Sequence, residues 1–378
     1  MLEPHTFPLA VAVPTVGVRS ETFVWRHANG ILPGRTAVIG ETISNPAYWT
    51  PDGPCLALYR STSDVERKVR HRLERSGIRP AAKLTRFLKD HGVRVVVAEY
   101  LHSLLPYIED VQQAGVQWFS FGHGYDVSAL LKDPVWRERL RVQRGADGVF
   151  VRAESIRQRM IEFGLDANRV HVVYGGVEVA DVFPERRPRD DVSLVSVGRM
   201  VPKKAPLLTL EAFRTAQAQH PSLQLHFVGD GPLLESARKF VEMNGLGQNV
   251  ILYGGKTLDF VSDLMKRSDL YVQHSIVDPA TGDEEGMPSS ILEAMGVGLP
   301  VVSTRHAGIP EAVREGIDGY LVAEGDVEGM ANRILDLARS SDSRRSMGEA
   351  AWRRACGSFT WEHERSNILR VTQVERYL

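Results

Sequence analysis

Short apolar runs alternate with longer segments whose apolar positions recur every three or four residues, almost from one end of the chain to the other. The short runs predict strands at 9–13, 37–39, 93–98, 117–121, 148–151 and 170–174, and a second series at 192–197, 225–228, 250–253, 270–273 and 300–303. Strands that alternate with amphipathic helices give parallel sheets covered on both faces, so the pattern predicts an α/β fold. Between the two series lies Phe183-Pro184-Glu185-Arg186-Arg187-Pro188-Arg189-Asp190-Asp191, charged and without periodicity, which reads as a linker. The expected organisation is a domain over 1–182, a linker over 183–191 and a second domain from 192. A chain of 378 residues is long for one core and suits two. Two doubly wound, Rossmann-like domains facing each other bind ligands in the cleft at the carboxyl ends of their strands. No solenoid repeat or low-complexity tract interrupts the pattern.

Composition narrows the function classes. The chain is 43% hydrophobic and 25% charged with a formal net charge of -1, so no global field favours nucleic acid. Cys55 and Cys356 are the only cysteines and stand far apart, which supports neither a disulfide framework nor a zinc cluster and suits the cytoplasm. The apolar stretch 7–18 is broken by Pro8 and Pro14 and is too short for a membrane anchor. One segment departs from the neutral average: Arg67, Lys68, Arg70, Arg72, Arg75, Arg79, Lys83, Arg86 and Lys89 crowd a helical region. It reads as a solvated helix face, or as a peripheral contact with an anionic membrane surface presenting a lipid-linked acceptor.

Candidate chemistry collects at predicted strand ends. Glu285-Gly286-Met287-Pro288 runs into Ser289-Ser290-Ile291-Leu292-Glu293-Ala294-Met295. If Pro288 or Ser289 opens a helix, Glu293 falls in its second turn and Glu285 stays in the loop before the helix N-terminus. One carboxylate can then hold ribose hydroxyls and the other hexose hydroxyls; an ordinary acidic helix start is the plainer alternative. Gly198-Arg199-Met200-Val201-Pro202-Lys203-Lys204 follows a strand, and a glycine turn with cations there suits a diphosphate as well as it suits an exposed basic turn.

Gly229-Asp230-Gly231 also follows a strand, but a dinucleotide fingerprint needs a third glycine where Leu234 stands. Gly255-Lys256-Thr257 mimics the end of a Walker loop, yet Val250 occupies the upstream glycine position. His123, in Phe121-Gly122-His123-Gly124-Tyr125-Asp126, is placed for a ligand or for a structural turn, and with Asp126 alone it makes no triad. Asp278, Asp283 and Glu284 read as solvated loop acids, and no His/Cys/Asp set has metal-site spacing, so no catalytic metal or other cofactor is expected.

These motifs together resemble the retaining, nucleotide-sugar-dependent glycosyltransferases of family four, with the two-domain architecture called GT-B. The residues that carry the resemblance are Glu285 to Met295, Gly198-Arg199 with Lys204, and Val301 to Glu311 ending in Gly308-Ile309-Pro310-Glu311. Weaker matches are Ser20-Glu21-Thr22-Phe23, His123-Gly124, Tyr174-Gly175-Gly176-Val177 and Phe359-Thr360-Trp361. The loop before Glu285 and the Ser-Glu-Thr-Phe start look most like members that build bacterial surface polysaccharides of the colanic-acid type.

The resemblance implies a nucleotide-binding domain over 192–359 and a final helix, 360–378, that crosses back to the first domain. It implies hexosyl transfer with retention from a UDP- or GDP-linked sugar, without a metal, to a saccharide, lipid-linked saccharide or small-molecule acceptor. A sugar-nucleotide epimerase, a phosphorylase and a non-catalytic nucleotide-sugar-binding subunit are rival outcomes on the same fold. By resemblance Glu293 holds the ribose, Gly198, Arg199 and Lys204 the diphosphate, and Glu285 with Gly286, Met287 and Pro288 the hexose. Gly231 joins the donor site, Tyr253 to Lys256 border the base, His123 touches the hexose, and Gly17, Ser20 and Glu21 line the acceptor side. Ala205 departs from the pattern, because members commonly carry glycine after the lysine.

Overall fold

The computed structural model describes residues 6–18, 21–44, 50–58, 81–184 and 191–378. Contacts divide the chain into two units: one holds the described residues up to Val151 with Arg157–Val173 and Arg365–Leu378, the other Arg152–Ile156 with Tyr174–Glu364.

In the first unit the strands are β1 (Leu9–Val16), β2 (Thr36–Ile43), β3 (Cys55–Ala57), β4 (Val95–Glu99), β5 (Gln117–Gly122), β6 (Gly148–Val151) and β7 (Val170–Val172). They form one sheet in the order β3-β2-β1-β4-β5-β6-β7, parallel at every pairing. Leu9 to Val13 and Val95 to Ala98 are buried throughout, as expected for parallel strands covered on both faces. The order places the carboxyl ends of β1, β4 and β5 side by side.

In the second unit β8 (Val192–Val197), β9 (Leu223–Val228), β10 (Val250–Gly254), β11 (Leu270–Val272), β12 (Val301–Thr304) and β13 (Gly319–Val322) pair in parallel in the order β10-β9-β8-β11-β12-β13. Alternation along the strands splits the core. Leu194, Leu225, Leu270 and Val272 pack with Leu210, Phe213, Ile334 and Leu335 from the helices Pro206–Gln217 and Val327–Arg339. Val195, Val228, Tyr271 and Val301 pack with Leu264, Met265, Ile291 and Met295 from Leu258–Arg267 and Ser289–Gly296. The strand sequences therefore read as continuous apolar runs.

Residues just before the charged stretch pack with the second unit. The Val177 N–H donates to Phe359 O at 2.8 Å, the Ala180 N–H to Gly296 O at 3.0 Å, and the Trp352 indole N–H to Ala180 O at 2.8 Å. The helix Trp361–Thr372 starts in one unit and ends in the other. In the first unit the Arg365 Nε–H is 3.2 Å from Gly30 O and 2.9 Å from Ile31 O, and Ile368 and Val374 are fully buried.

Of the basic residues named above, Arg67 to Arg79 lie outside the described residues. Lys83, Arg86 and Lys89 are exposed on the helix Ala81–Asp90, opposite buried Leu84 and Leu88. No helix of the described residues is long and apolar enough to cross a membrane.

Candidate active site

The turn after β8 carries the first part of the site. Arg199 is exposed there, and Pro202–Lys204 forms a single 3-10 turn that closes on Ala205. Ala205 sits at φ 37° and ψ 54°, in the left-handed region that glycine enters without a Cβ penalty, which is where the family pattern has glycine. Gly231 lets the turn after β9 lie against this one, since a Cβ there would stand 2.7 Å from Met200 O. The Met200 N–H donates to Asp230 O at 2.8 Å and the Leu233 N–H to Met200 O at 3.0 Å. The end of β10 adjoins it through the Gly229 N–H to Gly254 O contact of 3.0 Å. Tyr253 there pairs its hydroxyl with His226 Nδ1 at 3.0 Å, and the exposed Lys256 ammonium lies 5.5 Å from the Phe260 ring centre.

The two adjacent lysines diverge. Lys203 is buried and donates to Asp283 Oδ1 and to Glu284 O, both at 3.0 Å. Lys204 places its Nζ 3.2 Å from Glu285 Oε2. Burial pulls the Lys204 ammonium down from its ordinary pKa, and Glu285 opposes that pull. Burial pushes the Glu285 carboxyl up, but the charges of Lys204 and Lys203 outweigh it and hold the group below the usual carboxylate range. Glu285 Oε1 is buried without a hydrogen-bond partner among the described residues. An idle buried acceptor costs on the order of 1–3 kcal/mol, a cost that a donor on a bound ligand would remove.

The backbone around Glu285 is fixed from behind. Its N–H donates to His306 Nε2 at 3.1 Å, so the hydrogen of that ring sits on Nδ1, which donates to Glu324 Oε1 at 2.6 Å. The Gly308 N–H donates to Gly286 O at 2.9 Å, and a Cβ on Gly308 would stand 2.6 Å from that oxygen. Glycine is required there by close approach. Asp278, Asp283 and Glu284 are not the solvated acids that the sequence suggests. Asp278 and Glu284 are buried; Asp278 accepts from the Thr281 hydroxyl at 2.6 Å and the Ala280 N–H at 3.0 Å, and Asp283 accepts from Lys203. The loop folds on its own acids and carries Glu285 beside Lys204.

Pro288 precedes the helix Ser289–Gly296, with Glu293 half-buried in its second turn. Beneath it the Tyr271 hydroxyl lies 2.8 Å from Ser290 Oγ and 2.8 Å from Gln273 Oε1. Burial, and then the charges of Glu293 and Glu285, push the Tyr271 phenol above its ordinary range. The second unit brings together Gly198, Arg199, Lys204, Gly231, Glu285, Gly286, Met287, Pro288 and Glu293, with Tyr253 and Lys256 at the adjoining strand end.

In the first unit His123 follows β5. Its backbone N–H donates to Asp126 Oδ1 at 2.9 Å, so Asp126 shapes the turn and is not the partner of the ring. The ring partner is Glu99, at the end of β4, whose Oε2 is 2.9 Å from His123 Nε2. Gly17 takes φ 84° after β1, and Glu21 Oε1 accepts from the Tyr100 hydroxyl at 2.7 Å. Ser20 lies outside the described residues. Sequence reasoning missed Glu99, His27, Lys203 and His306. Glu99 had a signal, a charged residue closing an otherwise apolar strand. Among the described residues no group of three or more His, Cys, Asp or Glu is arranged to hold a metal ion.

Two family models match, "Glycosyl transferases group 1" over residues 180–354 and "Glycosyltransferase Family 4" over 48–181. The Salmonella typhimurium protein assigned as colanic acid biosynthesis glycosyltransferase WcaL is 33% identical over 184 residues, 48% of this chain and 45% of its own. The amylovoran biosynthesis glycosyltransferase AmsK of Erwinia amylovora is 31% identical over 188 residues, 48% of this chain and 45% of its own. The chain thus spans about half the length of these curated relatives. The Anabaena protein HepE, solved in complex with UDP, superposes with a TM-score of 0.77 at 16% identity, covering 97% of this chain and 99% of that one. At that identity the likeness carries the fold alone. The chain belongs to the family four glycosyltransferases of GT-B fold.

Proposed function

We propose that the protein transfers a hexosyl unit, with retention, from a UDP- or GDP-linked sugar to a saccharide or lipid-linked saccharide acceptor during surface-polysaccharide assembly. The observation that carries this reading is the pairing of half-buried Lys204 with buried Glu285, whose Oε1 is idle beside it. Relatives named for colanic acid and amylovoran biosynthesis support the class of product, and HepE holds UDP on the same fold.

Breaking the bond from the anomeric carbon to the diphosphate creates an oxocarbenium-like sugar and an anionic leaving group. Lys204 and Arg199 stabilise the anion in place of a divalent ion, and Glu285 orients sugar hydroxyls through its open oxygen. The acceptor oxygen bonds to the anomeric carbon on the face that the diphosphate leaves, and the departing phosphate oxygen takes the acceptor proton. Glu293 holds the ribose.

A melting-point screen over UDP- and GDP-sugars tests the donor class, because a ligand bound only by the folded state raises the transition. Product NMR tests retention. No shift with any such donor removes the reading, and an inverted anomer removes the front-face step. Glu293→Ala is expected to weaken binding of the free nucleotide about tenfold, the loss of hydrogen bonds from one carboxylate. Calorimetric titration with UDP and GDP measures it, and unchanged affinity contradicts the ribose role.

A further inference from the structure

Glu99 is fully buried where β4 ends, and each of its oxygens is committed to a histidine ring. Oε1 lies 2.5 Å from His27 Nδ1, on the helix Thr22–Gly30, and Oε2 lies 2.9 Å from His123 Nε2. The three residues are far apart in sequence and meet because β1, β4 and β5 are neighbours. The backbone here is strained as well: Tyr100, the next residue, has φ 74°, and Leu104 has φ 58°. Tyr100 is held there by its hydroxyl bond to Glu21.

We infer that Glu99 is a positioning residue for His123, fixing the ring hydrogen on Nε2 and presenting Nδ1 as the acceptor for a hydroxyl of the bound sugar. An ionised carboxylate only accepts, so both ring nitrogens that face it must carry hydrogen. Among the described residues His27 and His123 act on it directly, and Tyr100, Glu21, His102 and Asp126 are the further titratable groups of the cluster. Burial pushes the Glu99 carboxyl up, but the charge of His27 and the hydrogen bonds from both rings outweigh it and hold the group at about 2. The His123 ring cannot turn away. Phe23, Tyr100 and Phe121 lie at 4.6, 4.9 and 5.7 Å between ring centres. With Nε2 engaged, Nδ1, which has no partner among the described residues, is the nitrogen left for a ligand.

The inference rests on the reading that His123 contributes to transfer, and the experiment separates the two. In the full-length protein with 15N-labelled histidine, the spectrum of the neutral His123 ring is expected to show hydrogen on Nε2 and none on Nδ1. Glu99→Gln replaces one acceptor oxygen by a donor, so His27 Nδ1 or His123 Nε2 must give up its hydrogen. Turnover should fall about tenfold or more, as for loss of the partner that orients a functional histidine. In a His123→Asn background the same change should cost nothing further, whereas a merely structural Glu99 gives additive losses.

A bare Nε2 in the wild-type spectrum, both rings keeping their hydrogens in the variant, or additive losses overturns the role of Glu99. The wild-type spectrum decides even if Glu99→Gln does not fold. Unchanged turnover in His123→Asn overturns instead the part of His123 in transfer.

Discussion

Lys204→Ala is expected to lower turnover about 100-fold or more at saturating donor, as for removal of one preorganised charge contact to a developing anion. The lysine sits 3.2 Å from Glu285, and the charge of Arg199 is among those it feels. In the proposed mechanism its removal takes a fixed cation from the leaving group, and it strands a buried carboxylate. That second effect gives the variant a pH signature. In the wild type Glu285 titrates below its ordinary range, so its contribution is present above the unfolded pKa and is lost as pH falls through the folded one.

With Lys204 removed, burial is opposed by the charges of Lys203 and His306 alone, and the folded pKa is expected to rise above the unfolded value. Stability of the variant then falls as pH rises through that folded pKa. The gap in melting temperature between variant and wild type should narrow as pH is lowered from about 8 to about 5. Steady-state kinetics and melting curves over that range measure both effects. Near-normal turnover removes Lys204 from the mechanism, and a pH-independent gap removes its pairing with Glu285 in solution.

Arg152→Ala is expected to cost about 3–5 kcal/mol of stability, the price of leaving a buried charge uncompensated. Arg152 Nη1 bonds Glu364 Oε1, and the two side chains are 7% and 2% exposed. Glu364 Oε2 also accepts the Gly176 N–H at 2.7 Å, where a Cβ on Gly176 would stand 2.7 Å from Trp361 Cα. The pair therefore ties the turn after Tyr174 to the start of the last helix. Replacing both partners together, Arg152→Met with Glu364→Leu, should recover most of the loss because no charge remains buried. Urea unfolding of the single and double variants compares them. A double variant as unstable as Arg152→Ala shows that packing, and not the ion pair, sets the cost.

Most strands and the donor-side motifs were legible because each is local: a buried parallel strand is a continuous apolar run, and Glu285 to Glu293 is one loop and one helix start. The two strands that escaped, Cys55–Ala57 and Gly319–Val322, lie at sheet edges and are short, with no run long enough to stand out. What the sequence hides is pairing across distance. Glu99, His27 and His123 are joined by strand order alone. Lys203 and Lys204 look interchangeable side by side, yet one braces the loop from 283 to 284 while the other faces the site. Asp278 and Glu284 have polar neighbours, and only the fold of their loop removes them from water.

The seat of Arg365 against Gly30 and Ile31 has a practical reach. Neither half is an unbroken stretch of sequence, so clipping the protein after Glu364 strips buried Ile368 and Val374 from the half that begins the chain, not from the half that ends it. Anyone wishing to study the histidine-bearing half in isolation must graft the tail onto it, or work with a circular permutant.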